Sequence, residues 1–261
     1  MPKLVLEIFA LLTRSNYNLC SIGFMKLART LTLKLKLAVI NTTQVLVRSA
    51  QGGLTTVQYV EIKSKIDSAE FVRRNLEGAL LFSVRSSIQN YAAEEASARK
   101  GIVLEMGVFD GGSINRIASR VLKANPDREI YGLDSFKGLE ESWSSTDHYR
   151  SFDVGGVPPM GIDPRVRLIH GRVEEVLAQF LEKEDPKFAL IHFDMDLYGP
   201  TKFALEKLLP FLRPGTLILF DELYGYPGWE YGEYKALNEL ISRDKYRFLA
   251  FGPIQALIEI I

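Results

Sequence analysis

The sequence predicts an α/β protein with a mostly parallel β-sheet that is covered by helices on both faces. Seven short apolar segments, typical of buried strands, recur between residues 102 and 261. Helical segments separate the earlier ones, and this strand–helix–strand alternation is the pattern of a parallel sheet. Only Gly252 and Pro253 join the last two strands. Because that connection is too short for a crossover, one strand should run antiparallel.

The predicted strands and helices follow one another along the chain. The strands cover residues 102–108, 129–134, 165–171, 188–194, 216–222, 246–252 and 255–261. The helices between them cover residues 113–125, 173–184, 201–212 and 233–243. A single long helix is predicted over residues 68–100, because that segment consists of helix formers and contains no proline.

Composition limits the classes of function. The chain has 261 residues, of which 47% are hydrophobic and 25% charged, as in an ordinary globular protein. Its formal net charge is zero, which argues against a nucleic-acid-binding protein. No apolar run is long enough for a transmembrane segment. The single cysteine, Cys20, cannot form an internal disulfide, so a cytoplasmic location is expected.

Residues 1–65 are predicted to form a largely helical N-terminal extension ahead of a domain over residues 66–261. Residues 1–60 contain seven Lys and Arg residues and one Glu, a local charge of +6 in a neutral chain. Basic segments of this kind serve as caps, oligomerisation segments, membrane-surface helices or targeting sequences. A cap or a homo-oligomer contact is the favoured interpretation, with a hinge at residues 51–53.

The first predicted strand ends in the glycine-rich stretch EMGVFDGGS, residues 105–113. Its glycines allow a sharp turn and a close approach to a ligand, which in open α/β sheets binds beyond the carboxyl ends of the strands. The spacing is not the GxGxxG of dinucleotide-binding proteins, which disfavours a nicotinamide oxidoreductase. Asp134 ends the second strand, where an acid can bind both hydroxyls of a ribose. Alternatively, Asp134 caps the turn that follows it.

Several motifs in order resemble the class I S-adenosylmethionine-dependent methyltransferases. They are the ExGxxxGxS-like pattern of the glycine-rich stretch, IYGLDSFKGLEESW after the second strand, DxDLY after the fourth and FDELYGYPGWEYGEYKAL after the fifth. The resemblance is closest to the macrocin O-methyltransferase group and covers roughly residues 80–261. It implies a Rossmann-like, doubly wound sheet and S-adenosyl-L-methionine as cofactor.

The resemblance also implies roles for individual residues. Glu105 and Gly107 would hold the amino-acid end of the cofactor, and Asp134 would accept hydrogen bonds from its ribose. Arg172 and Val173 occupy the position of adenine contacts. The remaining residues of the predicted cofactor site are Gly111, Ser113, Ser135 and Asp194.

The stretch LIHFDMDLYG, residues 190–199, ends the fourth strand with two acids. An extended strand would place His192, Asp194 and Asp196 on one side, and in the family's strand order the neighbouring fifth strand ends in Asp221 and Glu222. Carboxylates that converge in this way repel one another unless they share a cation, and oxygen ligands suit Mg²⁺. Asp194, Asp221 and Glu222 match the metal ligands of metal-dependent O-methyltransferases in this family.

The implied reaction is methyl transfer to a hydroxyl of a sugar or another hydroxylated small molecule. An in-line displacement of this kind needs alignment and a deprotonated nucleophile. Asp196 is the candidate general base, with His192 and His148 as alternatives, although His192 in an apolar strand also suits a buried core histidine. A metal-independent N- or O-methyltransferase and a non-catalytic S-adenosylmethionine-binding domain are the alternative functions.

Two long connections are candidates for the acceptor pocket. Residues 143–164 are predicted to form a lid, because compact domains rarely contain a connection of this length without a function. Residues 223–234 concentrate four tyrosines and a tryptophan, whose faces and polar edges suit a carbohydrate ring. A buried aromatic cluster that anchors the second loop is the alternative.

Overall fold

The structure, a computed structural model, describes residues 54–139, 152–184 and 186–261. Residues 58–261 form one compact unit. Residues 1–53, with the predicted hinge, and residues 140–151, with His148, lie outside the described residues. The predicted division of the chain between residues 65 and 66 therefore stays a prediction.

An eight-stranded sheet forms the centre of this unit, in the order β1-β7-β8-β6-β5-β2-β3-β4. Its strands in chain order are β1 (Leu80–Leu81), β2 (Ile102–Met106), β3 (Ile130–Asp134), β4 (Val166–His170), β5 (Phe188–Phe193), β6 (Leu217–Phe220), β7 (Tyr246–Phe251) and β8 (Ala256–Ile260). Strand β8 is antiparallel to both of its neighbours, and the other pairs are parallel. All seven predicted strands and the single antiparallel strand are confirmed.

Helices cover both faces of the sheet, as predicted for a doubly wound fold. They are α1 (Thr56–Arg74), α2 (Arg85–Ser97), α3 (Gly112–Ala124), α4 (Val173–Glu184), α5 (Tyr198–Leu208) and α6 (Glu233–Leu240). Alternate residues of β6 pack into two cores, Ile218 and Phe220 with α4 to α6, and Leu217 and Leu219 with α2 and α3. Within the described ranges, no helix has the length and hydrophobicity of a membrane span.

The prediction of one helix over residues 68–100 is wrong. Helix α1 ends at Arg74, Gly78 takes a left-handed conformation (φ +74°), and β1 adds an eighth strand. Leu80 and Leu81 pair in parallel with β7 at the end of the sheet. This interruption makes Arg85 the first residue of the separate helix α2.

The topology creates a crevice between β2 and β5. From β2 the chain passes to β3 and β4 on one side, and β5 then lies on the other side of β2. Ligands of doubly wound sheets bind at such a switch point. Here Gly107 follows β2 and Asp194 follows β5, and the N–H of Asp194 donates to the carbonyl oxygen of Met106 at 2.9 Å. The predicted glycine-rich stretch and the predicted acids therefore meet at one edge of the sheet.

Candidate active site

A cavity of about 1100 Å³ lies at this switch point. Its size suits a cofactor together with a small acceptor. The predicted cofactor residues that line it are Gly107, Ser113, Asp134, Ser135, Arg172, Val173 and Asp194. Two further predicted residues, Asp196 and Glu222, complete its acidic side. The structure therefore brings these predicted residues together in one cavity at the carboxyl ends of β2 to β6.

Asp134 fastens the glycine-rich turn to the end of β3. Its Oδ2 accepts hydrogen bonds from the N–H groups of Val108 and Phe109, both at 2.7 Å. Its Oδ1 accepts one from the N–H of Phe136 at 2.7 Å, which caps the following turn. The turn-capping alternative is therefore present in the structure, and the ribose contact stays a prediction.

Glu105 is buried behind Ser113, which lines the cavity. The hydroxyl of Ser113 donates to Glu105 Oε1 at 2.9 Å, and Glu105 Oε2 lies 2.9 Å from Nδ1 of His192. On the other side, Nε2 of His192 lies 3.4 Å from Oδ1 of Asp221. His192 is fully buried, which fits the core-histidine interpretation. Gly111 is the N-cap residue of α3.

Two carboxylates keep His192 charged. Burial alone would lower the pKa of the imidazole, but hydrogen bonds to Asp221 and Glu105 raise this pKa from 6.5 to about 10. At neutral pH the ring is therefore an imidazolium held between two acids. Because an imidazolium has no lone pair to accept a proton, His192 is a poor candidate for the general base and Asp196 is the better one.

Replacing His192 by glutamine should destabilise the protein in a pH-dependent way. The folded-state pKa lies above the unfolded value, so the stabilisation is fully present below pH 6.5 and is lost as the pH rises towards 10. Hydrogen bonds to a charged group contribute about 1.5–3 kcal/mol. Urea unfolding of both proteins from pH 6 to 10 measures this difference. A difference that is constant across this range would contradict the assigned imidazolium.

Three acids converge on the cavity. Asp194, Asp196 and Glu222 each place a carboxylate oxygen within 4.8 Å of the others. Glu222 Oε2 is buried and has no hydrogen-bond partner in the described part of the chain. Burial and the charge of Asp221 raise the pKa of Glu222 well above its ordinary value. A hard divalent cation such as Mg²⁺ would give the Glu222 oxygen a partner and would offset the charge repulsion among the acids. These oxygen ligands therefore fit a divalent cation.

Arg85 lines the cavity, and the sequence analysis did not single it out. Its Nη2 lies 2.8 Å from Asp194 Oδ2 and 2.7 Å from Asp221 Oδ2, and its Nε donates to Asp221 Oδ1 at 3.0 Å. Asp221, a predicted metal ligand, is fully buried behind the cavity wall. Burial alone would raise its pKa, but His192 and Arg85 lower this pKa to about 2. In this structure Asp221 is therefore the partner of two cations.

The aromatic loop, residues 223–234, does not line this cavity. Its rings surround Phe71 of α1, with centroid distances of 5.7 Å to Tyr224, 5.3 Å to Trp229 and 5.2 Å to Tyr234. None of the aromatic side chains of this loop, all of which the structure describes, lines the cavity. The contacts of Tyr224, Trp229 and Tyr234 fit the alternative of a buried aromatic cluster that anchors the loop, whereas Tyr231 is exposed.

Two other aromatic rings line the cavity instead. Phe109 lies in the glycine-rich turn and Phe152 in the described part of the predicted lid, and their ring centroids are 5.2 Å apart. Both rings are partly exposed, and both residues have a left-handed backbone, with φ of +47° and +68°. Non-glycine residues in this conformation are concentrated at functional sites. The sequence pattern did not single out either phenylalanine.

Comparison with known proteins shows which proteins the domain is similar to. Residues 104–223 match the family described as a methyltransferase domain. The chain is 30% identical over 141 residues to an 8-demethyl-8-(2,3-dimethoxy-alpha-L-rhamnosyl)-tetracenomycin-C 4'-O-methyltransferase from Streptomyces olivaceus. That match covers 47% of this chain and 52% of the relative, so the chain spans about half the length of this curated relative.

Three solved structures of similar fold are described as methyltransferases. A calicheamicin methyltransferase superposes with a TM-score of 0.58 at 25% identity, over 67% of this chain and 77% of that one. An apo structure described as a TDP-rhamnose 3'-O-methyltransferase of calicheamicin biosynthesis gives a TM-score of 0.52 at 25% identity, over 67% and 78%. The O-methyltransferase NovP gives 0.53 at 18% identity, over 67% and 79%, and shows the fold alone.

Proposed function

We propose that the chain is a class I S-adenosylmethionine-dependent methyltransferase that methylates a hydroxyl of a sugar or another hydroxylated small molecule with the help of Mg²⁺. One observation carries the proposal: a single cavity joins the glycine-rich turn at Gly107 to the acids Asp194, Asp196 and Glu222. Two similar proteins are O-methyltransferases for a rhamnosyl group and for TDP-rhamnose, which supports a sugar acceptor.

The cofactor is proposed to bind along the edge formed by β2, β3 and β4. The residues assigned to it, from the amino-acid end to the adenine, are Gly107, Ser113, Asp134, Ser135, Arg172 and Val173. Their common position on the cavity wall supports this assignment. Glu105 orients Ser113, and Gly111 starts α3 beneath the site. Asp134 has already fixed the turn that faces the cofactor, so the site is largely pre-formed.

The acids after β5 and β6 are proposed to supply the catalytic groups. Mg²⁺ bound there would lower the pKa of an acceptor hydroxyl. Asp194, Asp221 and Glu222 are the proposed ligands, and the orphaned oxygen of Glu222 supports them. Asp196, on the cavity wall, is proposed to accept the hydroxyl proton as general base, with His148 as the alternative.

The acceptor is proposed to rest against Phe109 and Phe152. Their partly exposed rings line the cavity, Phe109 from the glycine-rich turn and Phe152 from the described part of the predicted lid. Aromatic rings suit the apolar faces of sugars and of other hydroxylated rings. The proposed cytoplasmic location depends on the lone Cys20, and a homo-oligomer contact through residues 1–65 stays a proposal.

Methyl transfer should depend on a divalent cation. The test is transfer of labelled methyl from S-adenosylmethionine to a panel of free and glycosidically linked sugars, with Mg²⁺, with EDTA, and with EDTA followed by excess Mg²⁺. We expect transfer with Mg²⁺, its loss in EDTA and its recovery, because the cation activates the hydroxyl.

Each other outcome selects one of the alternatives. Transfer that EDTA does not reduce would favour a metal-independent methyltransferase. Transfer to amines and not to hydroxyls would favour an N-methyltransferase. Tight binding of S-adenosylhomocysteine without transfer to any acceptor would favour a non-catalytic binding domain.

A further inference from the structure

Arg85 links two carboxylates that the proposed function assigns to the metal. It lies outside residues 104–223, which match the methyltransferase domain family, and it reaches the site as the first residue of α2. Its guanidinium bonds Asp194 with one nitrogen and both oxygens of Asp221 with two. A guanidinium in this fork geometry forms the strongest kind of carboxylate pair. The bridge therefore holds the ends of β5 and β6 together.

The guanidinium and a divalent cation would compete for the same oxygens. An arginine guanidinium stays a cation throughout the physiological pH range, and here it lies 2.8 Å from Asp194 and 2.7 Å from Asp221. Like charges a few ångströms apart in a partly buried site repel strongly. The lone pairs that Asp194 and Asp221 share with Arg85 are also less available to a metal.

The burial of the partners indicates which group moves. The side chain of Asp221 is 0% exposed, whereas that of Arg85 is 48% exposed and lines the cavity. Gln89 lies beside Asp221, with its amide nitrogen 3.5 Å from Oδ1, and its carbonyl oxygen accepts a hydrogen bond from Arg116. The acid is thus fixed from several sides, while the arginine has open space in front of it.

We propose that Arg85 is a positioning residue that holds Asp194 and Asp221 in the metal-free protein, competes with Mg²⁺ for their oxygens, and thereby sets the affinity of the site for the cation. This inference rests on the metal site of the proposed function. It assigns to helix α2 the control of a site whose ligands lie elsewhere in the chain.

Binding of Mn²⁺, a paramagnetic substitute for Mg²⁺, tests the proposal without reference to activity. Free Mn²⁺ is measured by electron paramagnetic resonance in titrations of the full chain, its Arg85→Gln and Arg85→Lys variants, and Arg120→Gln as control. Arg120 pairs with Glu94 on the exposed side of the neighbouring helix α3. Arg85→Gln should bind Mn²⁺ about tenfold more tightly or better, because a competing charge is removed.

Two control variants, Arg85→Lys and Arg120→Gln, distinguish the effect of the Arg85 charge on Mn²⁺ affinity from a general effect of substitution on the fold. Arg85→Lys keeps the cation, so it should bind Mn²⁺ within about threefold of the unmodified protein. Arg120→Gln should not change the affinity. In EDTA the melting temperature of Arg85→Gln should be lower than that of the unmodified protein, since the acids then repel without a partner. Mn²⁺ should reverse that loss.

Two different failures can be told apart. If the unmodified protein binds Mn²⁺ and Arg85→Gln binds it no more tightly, the competition is refuted and the metal site stands. If neither protein binds Mn²⁺ while both still bind S-adenosylhomocysteine, the metal site and this proposal both fall. In that case the methyltransferase assignment is untouched.

Discussion

Replacing Asp196 by asparagine is expected to slow methyl transfer by about 10²- to 10⁴-fold, the usual contribution of a general base. Asp196 lines the cavity beside Asp194 and Glu222. Its backbone is left-handed, with φ of +63°, a conformation that asparagine also adopts readily. The variant should therefore fold normally and lose only the group that is proposed to take the hydroxyl proton.

The measurement is kcat for methyl transfer together with the dissociation constant of S-adenosylhomocysteine. The latter should stay within about threefold of its original value, since the proposed base does not hold the cofactor. Asp127→Asn is the matched control, because this exposed acid lies in the turn between α3 and β3. If Asp196→Asn leaves kcat unchanged, Asp196 is excluded as the general base and His148 becomes the candidate.

The central strands could be predicted from the sequence because their burial on both faces requires a continuous run of apolar residues in the strand itself. Every residue of β5 and β6 is buried, and a strand covered on both faces must be a continuous apolar run. Strand β1 could not be predicted in this way. Leu80 and Leu81 are exposed, the strand has only two residues, and only pairing with the distant β7 makes them a strand.

Those residues of the candidate site that directly follow the ends of parallel strands could be predicted from the sequence. Parallel strands end at one edge of a sheet, so Asp194 and Glu222 had to converge. The period-two argument failed beyond Phe193, where β5 ends. His192, inside β5, is buried and lies with Asp194 and Asp221, with one side-chain ligand atom of each within 4.8 Å of the others. Asp196, beyond the end of β5, reaches the cavity through a left-handed turn and not through strand alternation.

Long-range ion pairs leave no local trace in the sequence. Arg85 lies 109 residues before Asp194 in the chain and yet pairs with it, and nothing nearby in the sequence distinguishes it from the other arginines. The same holds for the link between Glu105 and His192, two residues that seemed to have separate roles. Charge balance inside a predicted acidic cluster therefore has to be taken from the structure.

Replacing Gly107 by alanine is expected to destabilise the protein by more than about 4 kcal/mol, a size of effect that is rare for one substitution. Gly107 has a φ of +89°. A Cβ atom there would lie 2.6 Å from the carbonyl carbon of Asp194 and would overlap the carbonyl oxygen. Hydrogen bonds prevent the two strand ends from moving apart to make room for the Cβ atom. The N–H of Gly107 donates to Leu133 O and that of Asp194 donates to Met106 O, both at 2.9 Å.

Gly215→Ala separates backbone strain from steric overlap. Gly215 has a nearly equal φ of +92°, but a Cβ atom there would meet nothing within 4 Å. Its substitution should cost only the strain of a left-handed residue, about 1–2 kcal/mol. Guanidinium unfolding of both variants measures the difference, and equal losses would contradict the close approach of β2 to β5. Since the same approach brings the glycine-rich turn to the acids, Gly107→Ala should also abolish binding of S-adenosylhomocysteine, whereas Gly215→Ala should not.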